Sequence, residues 1–256
     1  MKKEFVEKAY DLARQEYAAL GVDTDAVLKK LDDVVISLHC WQTDDVGGFE
    51  RTGGELGGGL AVTGNYPGKA RNVTEMKADL EKVLSLLPGK QRLSLHAIYG
   101  DFGGEFVDRD QIELKHFQPW IDWAKEQGIG LDFNCTCFSH PKADDGFTLS
   151  GKNEENRQFW IEHVKRCRRI SAEMGKQLGT PCIHNLWIPD GSKDTPLDRY
   201  THRRLLKEAL DNIFAEEFPA ELMKDGVESK LFGIGSESMV VGSHDFYLCY
   251  AAQNNK

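Results

Sequence analysis

Glu228 and Lys230 stand two residues apart in "VESKLFGI" (227–234), a run that otherwise reads as a short buried strand. Strand side chains alternate faces with period two, so both point the same way, about 7 Å apart. Burying either charge alone is costly, and a buried pair that only neutralises itself is often no better than two apolar residues. Two readings stay open: a structural ion pair, or a working pair. In the second, Glu228 is a hard-oxygen ligand for a divalent cation and Lys230 faces a developing negative charge. Four other strand-like runs also carry a polar group towards their C-terminal ends. These are His39 in "VVISLHCW" (34–41), His96 in "RLSLHAIY" (92–99), Asn134 in "GLDFNCTCF" (130–138) and Asn185 in "PCIHNLWI" (181–188). Any one alone would be read as a satisfied core residue; their coincidence points to a shared site. Trp41 and Trp187 follow His39 and Asn185 by two residues, on the same strand faces. Flat apolar walls beside hydrogen-bonding groups suit a polyol, although ordinary packing would look the same.

These residues need elements to hold them. Two helical patterns come first, at about 3–20 and 24–31, separated by Gly21 as a stop. Helical stripes then alternate with the five strands. One starts near Asn72, a cap to which Glu75 reaches back, and carries Met76, Leu80, Val83, Leu84 and Leu87 before Pro88-Gly89. Others hold Phe117, Trp120, Ile121 and Ala124 before Gly128, and span about 153–178 before Gly179 and about 202–214. Strand and helix in alternation predict an α/β fold with a parallel sheet. The pattern itself does not choose between barrel and open sheet. A chain of 256 residues is the size of a single (β/α) barrel domain, with 1–32 as an N-terminal helical extension. In such a barrel the C-terminal ends of the strands converge on one mouth, where the chemistry is done.

The bulk composition removes several classes. A formal net charge of −9 opposes nucleic-acid binding, which draws on clustered Lys and Arg. The short basic run "KRCRR" (165–169) reads as a solvated helix face. No apolar run resembles a signal peptide or membrane span, so the expected location is the cytoplasm, with no membrane partner. The six cysteines include no Cys-x-x-Cys pair and read as reduced core residues. No phosphate-binding glycine motif follows the first strand, and the glycine cluster at 47–59 reads as a mobile, substrate-handling loop. Neither Gly-x-Ser-x-Gly nor His-Glu-x-x-His occurs, which leaves metal-assisted proton or hydride movement as the best chemistry.

The longer motifs "LHCWQTDDVGGFE", "TGNYPGKARN", "RLSLHAIY", "CFSHP", "DGFTLS", "WIPDG" and "VESKLFGIGSES" together resemble the L-rhamnose isomerase family, from about residue 4 to the last residue. The resemblance implies a TIM-type (β/α) barrel and an aldose–ketose isomerase that interconverts L-rhamnose and L-rhamnulose. It also implies two divalent ions, typically Mn2+ with Zn2+ or Co2+ as alternatives, and a cytoplasmic homotetramer. Position by position, Glu228 matches a metal carboxylate, Lys230 the lysine near the substrate carbonyl oxygens, and His96 the histidine near the sugar's reactive end. Trp187 matches part of the hydrophobic wall. For His39, Trp41, Asn134 and Asn185 the resemblance implies only proximity.

Five strands are counted where a closed barrel has eight, so about five of eight βα units are expected. The family's remaining metal ligands, including the whole second site, would lie beyond residue 256. The expectation is that the short chain alone is inactive and poorly stable. A degenerate barrel acting as a non-catalytic sugar-binding or interaction module is the alternative.

Overall fold

The computed structural model describes residues 2–40, 47–50, 67–191, 197–230 and 240–254. Trp41, most of the glycine cluster and the stretch 231–239 lie outside the described residues.

Strands β1 (Val35–His39), β2 (Lys90–His96), β3 (Gly130–Asn134), β4 (Cys182–Trp187) and β5 (Met223–Glu228) form one parallel sheet, with neighbours in chain order. That order is what the wall of a (β/α) barrel has; a doubly wound sheet reverses its order at a switch point. The chain is thus α/β as expected. Among the described residues β1 and β5 are the two edges.

Among the described residues seven α-helices surround or precede the sheet: α1 (Lys3–Ala19), α2 (Thr24–Leu31), α3 (Val73–Leu86), α4 (Gln118–Gln127), α5 (Glu154–Leu178), α6 (Arg199–Phe214) and α7 (His244–Asn254). Their ends follow local rules. Asn72 Oδ1 accepts from Glu75 N at 2.9 Å and caps α3. Glu75 reaches back one residue further than expected, to Arg71 N at 2.9 Å. Gly128 and Gly179 close α4 and α5 in the left-handed region, which costs glycine nothing.

One face of the sheet is apolar. Leu93, Leu95, Leu131, Phe133, Cys182 and Leu186 are buried there with Trp120 and Ile121 of α4 and Trp160, Val164 and Cys167 of α5. Helix α5 lies across β3 and β4 and at Gly175 closely meets the backbone just before β5, where a Cβ would meet Leu222 O at 1.7 Å. Helices α1 and α2 bury none of their residues and pair with each other through Tyr10, whose hydroxyl meets Asp25 Oδ1 at 2.5 Å.

Several expectations are corrected. The last strand runs 223–228, earlier than 227–234, so Glu228 ends it and Lys230 lies beyond it. Residues 97–99, expected as strand, form a 3-10 turn. Helix α7 has only a weak apolar stripe, with Tyr247 and Tyr250 as its buried residues, and periodicity did not reveal it. The run 165–169 is not a solvated face: Cys167 and Arg168 are buried. Arg168 makes a bidentate pair with Asp225 at 2.9 and 2.8 Å and sits between the rings of Phe214 and Phe218.

Candidate functional site

The other face of the sheet is polar, and strand register puts its groups in rows. His96, Asn134, Asn185 and Gly226 are paired across β2 to β5, and Trp187 pairs with Glu228 one step further up. The C-terminal polar groups of β2, β3 and β4 therefore share one level, with the β5 carboxylate just above it. Below them Asp132 accepts from Ser37 Oγ at 2.7 Å, Arg92 NH2 at 2.9 Å and Ile183 N at 2.9 Å. That network ties four strands under the site without apolar packing.

His39 of β1 pairs with Ser94, one step below that row, and its ring reaches His96. Its Nε2 is 3.1 Å from Nε2 of His96, whose Nδ1 is 3.0 Å from Thr136 Oγ1. The Thr136 hydroxyl also accepts from Ala97 N at 3.1 Å and donates to Asn134 O at 3.3 Å. Asn134 O can only accept, so one proton placement satisfies these contacts: His96 carries its proton on Nδ1 and offers a lone pair at Nε2. His39 then donates from Nε2 to His96. Burial lowers the pKa of both rings, well below the ordinary value at His96, where His39 and Arg109 add repulsion, so both are neutral at neutral pH.

Thr136 holds this post in a backbone conformation unusual for a β-branched residue, φ +56°. Its N–H is tied to Asn134 Oδ1 at 2.8 Å, and the carbonyls of Thr136, Phe138 and Ser139 all accept from the buried guanidinium of Arg109. Glu50 neutralises that guanidinium through two bonds at 3.0 and 2.7 Å. The loop after β3 is thus pinned from beneath. It carries Phe138, whose ring lies edge-on to His96 at 6.1 Å and to Trp187 at 5.6 Å between centroids, giving an aromatic wall beside the polar row.

On the β5 side, Asn185 Nδ2 donates to Glu228 Oε2 at 2.7 Å. Glu228 is exposed and has no ion-pair partner among the described residues. Lys230 is buried, and its ammonium donates to the carbonyls of Pro189 and Gly191 after β4. Between those carbonyls lies Asp190, fully buried, which accepts from Thr148 N (2.9 Å), Thr148 Oγ1 (2.5 Å), Ser150 N (2.8 Å) and Ser150 Oγ (2.6 Å). Burial raises its pKa while the four donors oppose the rise. Asp190 fixes the turn that cradles Lys230. The two charges read as one pair in the sequence are therefore held separately, Glu228 by an amide and Lys230 by backbone carbonyls.

The structure brings His39, His96, Asn134, Asn185, Trp187 and Glu228 to one end of the sheet and Lys230 to the adjoining turn; Trp41 lies outside the described residues. Sequence reasoning missed Thr136, Arg109 and Asp190. Asp190 had a signal, the "WIPDG" and "DGFTLS" motifs it joins, whereas Arg109 meets Glu50 across 59 positions and gave none.

A parallel α/β sheet with strands in chain order and polar and aromatic groups gathered at the C-terminal strand ends is consistent with the wall of a (β/α) barrel. The chain matches the L-rhamnose isomerase family over residues 4–256 and belongs to that family. It is 59% identical to an L-rhamnose isomerase of Rhodopirellula baltica over 98% of this chain and 58% of that protein. It is 58% identical to one of Bacteroides thetaiotaomicron over 100% of this chain and 60% of that protein. One of Listeria monocytogenes is 54% identical, over 98% and 60%. The chain thus spans about 60% of the length of the curated relatives it matches.

Proposed function

We propose that the protein is an aldose–ketose isomerase acting on L-rhamnose and L-rhamnulose. The observation that carries the reading is the in-register row His96, Asn134 and Asn185, with Glu228 above it and Trp187 and Phe138 beside it, in a member of this family. The row offers hydrogen-bonding groups to hydroxyls while the rings cover C–H faces. His96, neutral, can exchange the His39 N–H at its Nε2 for a hydroxyl at the sugar's reactive end and hold that proton. Lys230, whose ammonium is held by the carbonyls of Pro189 and Gly191 in the adjoining turn, is in this reading the group that offsets negative charge developing on the carbonyl oxygen.

Glu228 fits as one ligand of a divalent cation, Mn2+ in this reading: it is an unneutralised carboxylate oriented by an amide. Such a cation acts as a Lewis acid on the sugar oxygens. The described residues provide only part of the oxygen shell that a hard ion takes, so none of the steps above is routed through it. A cytoplasmic homotetramer belongs to the same reading and is supported only by the family resemblance.

The test is conversion of L-rhamnose to its ketose by the protein expressed from its own reading frame, with Mn2+, together with the Lys230→Met variant. Ketose formation that is lost in the variant supports the reading. A folded protein that binds L-rhamnose saturably without turning it over would overturn it in favour of a binding module.

A further inference from the structure

We propose that Cys135 and Cys137 form a redox-reactive dithiol, a modification site that a hydroperoxide converts to a disulfide beneath His96. Their sulfurs stand 3.4 Å apart, and both residues are fully buried. Side chains two apart in a strand leave it about 7 Å apart, whereas a disulfide asks for Cβ atoms about 4 Å apart. Strand β3 stops at Asn134, and Thr136 between the two cysteines has φ +56°, so the chain turns and the sulfurs meet. Closing the bridge shortens their separation from 3.4 Å to about 2.05 Å.

A neighbouring histidine prepares Cys135 for the reaction. His184 of β4 is fully buried, and its Nδ1 lies 3.1 Å from Asp225 Oδ1, so the ring donates there and keeps its lone pair at Nε2. That Nε2 has no hydrogen-bond partner among the described residues. An orphaned buried acceptor is costly, and a proton taken from Cys135 satisfies it. Burial lowers the His184 pKa, but Asp225 and Cys135 raise it overall. Burial pushes the Cys135 thiol up, but Cys137 and His184 outweigh this and hold it well below the ordinary thiol range. Cys137 is pushed well above that range, first by burial and then by Cys135. The two sulfurs thus divide into a nucleophile and a resolving thiol, with Cys135, His184 and Asp225 as nucleophile, base and orienting carboxylate.

One hydroperoxide, ROOH, balances the reaction. His184 takes the Cys135 proton, and the thiolate sulfur attacks the terminal peroxide oxygen. The S–O bond forms, the O–O bond breaks, and the leaving alkoxide departs as ROH with the proton from His184. The Cys137 sulfur then attacks the sulfur of Cys135: the S–S bond forms, the S–O bond breaks, and hydroxide leaves as water with the Cys137 proton. The sulfurs lose two electrons in all, which the peroxide oxygens gain. The contact between the Cys135 thiol and Asn185 O, at 3.8 Å, is given up. The bridge encloses Thr136, whose hydroxyl lies 3.0 Å from His96 Nδ1, so closure also shifts the support of that ring.

The experiment treats the reduced, folded protein with hydrogen peroxide, quenches it with catalase, alkylates the remaining thiols in denaturant and maps them by mass spectrometry. The expected product is a bridge between Cys135 and Cys137 that dithiothreitol reopens, while the equally buried Cys40, Cys167 and Cys182 are still alkylated. Cys137→Ala is expected to stop at a Cys135 sulfenic acid that dimedone captures, and Cys135→Ala to leave Cys137 a free thiol. Both variants change buried residues and are compared at matching circular dichroism; the wild-type map decides without them. His184→Gln, compared in the same way, is expected to slow closure about tenfold or more. The ring signals of His96 in nitrogen NMR are expected to move on closure and return on reduction. The proposal is overturned if the folded protein keeps both thiols when the exposed Cys249 has been fully oxidised, or if Cys167 replaces either partner in the bridge. It is equally overturned by closure that occurs only in urea, by an unchanged rate in His184→Gln, or by His96 signals that closure leaves in place.

Discussion

Asn185 and Glu228, 43 positions apart in the chain, are joined across the β4–β5 pair by an amide-to-carboxylate hydrogen bond of 2.7 Å. The bond aims an exposed carboxylate without cancelling its charge, which is what a metal ligand needs and what an ion pair would prevent. Glu228→Gln is therefore expected to lower isomerisation by about a hundredfold or more. Its effect on stability is expected to stay within about 0.5 kcal/mol, because the residue is exposed. Asn185→Ala is expected to cost about tenfold in activity, as loss of a supporting bond usually does. Ketose production and urea unfolding of the same preparations check both; a Glu228→Gln enzyme of full activity would remove the carboxylate from the site.

Asp190 is expected to be the most costly single residue near the mouth. Asp190→Ala leaves four donors from Thr148 and Ser150 unpaired in a fully buried position, a loss of about 3 kcal/mol or more. The turn that holds Lys230 should loosen with it. Urea denaturation measures the first effect, and a steeper fall in activity than in folded fraction reveals the second.

Gly175→Ala tests the packing of α5 on β5. A Cβ there would sit 1.7 Å from Leu222 O, which is backbone and cannot swing aside. The expected cost is about 1–3 kcal/mol despite the better helix propensity of alanine. An unchanged denaturation midpoint would show that the helix and strand are not in contact at this point.

Acid stability should depend on Asp225. Burial pushes its pKa up, but hydrogen bonds and charge from His184 and Arg168 outweigh this and hold it at about 2, against an ordinary 3.8. Between those values the unfolded chain takes up a proton that the folded chain refuses. The contribution is thus present above pH 3.8 and is lost as pH falls through about 2, a change of about 2 kcal/mol at about 1.4 kcal/mol per pH unit. The partner His184 has the opposite sign: burial lowers its pKa, but Asp225 and Cys135 raise it overall. Its share is complete below the ordinary histidine value and fades as pH rises through the raised one. Unfolding free energies across acid pH, compared with Asp225→Asn, check the first part; the variant should lack that acid-side loss.

Much of the site was legible because strands report their own facing. His96, Asn134 and Asn185 could be read as gathered at one end of the sheet, since each is the polar group towards the C-terminal end of an apolar run, while the register that makes them a row came from the structure. Lys230 was misplaced for the same reason: alternation was extended past Glu228, where the strand stops. What local pattern could not reveal was long-range pairing. Arg109 looks like any loop arginine, and only the fold shows it gripping three carbonyls and Glu50. Arg168 did carry a signal, since Val164 and Ala172, four residues away on either side, put it on the buried stripe of α5. The basic run around it drew attention away from that spacing.

The grip of Arg168 also sets how the protein should come apart. Its guanidinium holds Asp225 of β5 and the carbonyls of Ile213 and Glu216 at the end of α6, all from the middle of α5. Those three elements cannot separate without breaking that cluster, so their amides should exchange with solvent deuterium as one cooperative unit. Helices α1 and α2, which bury nothing, should open independently and much sooner.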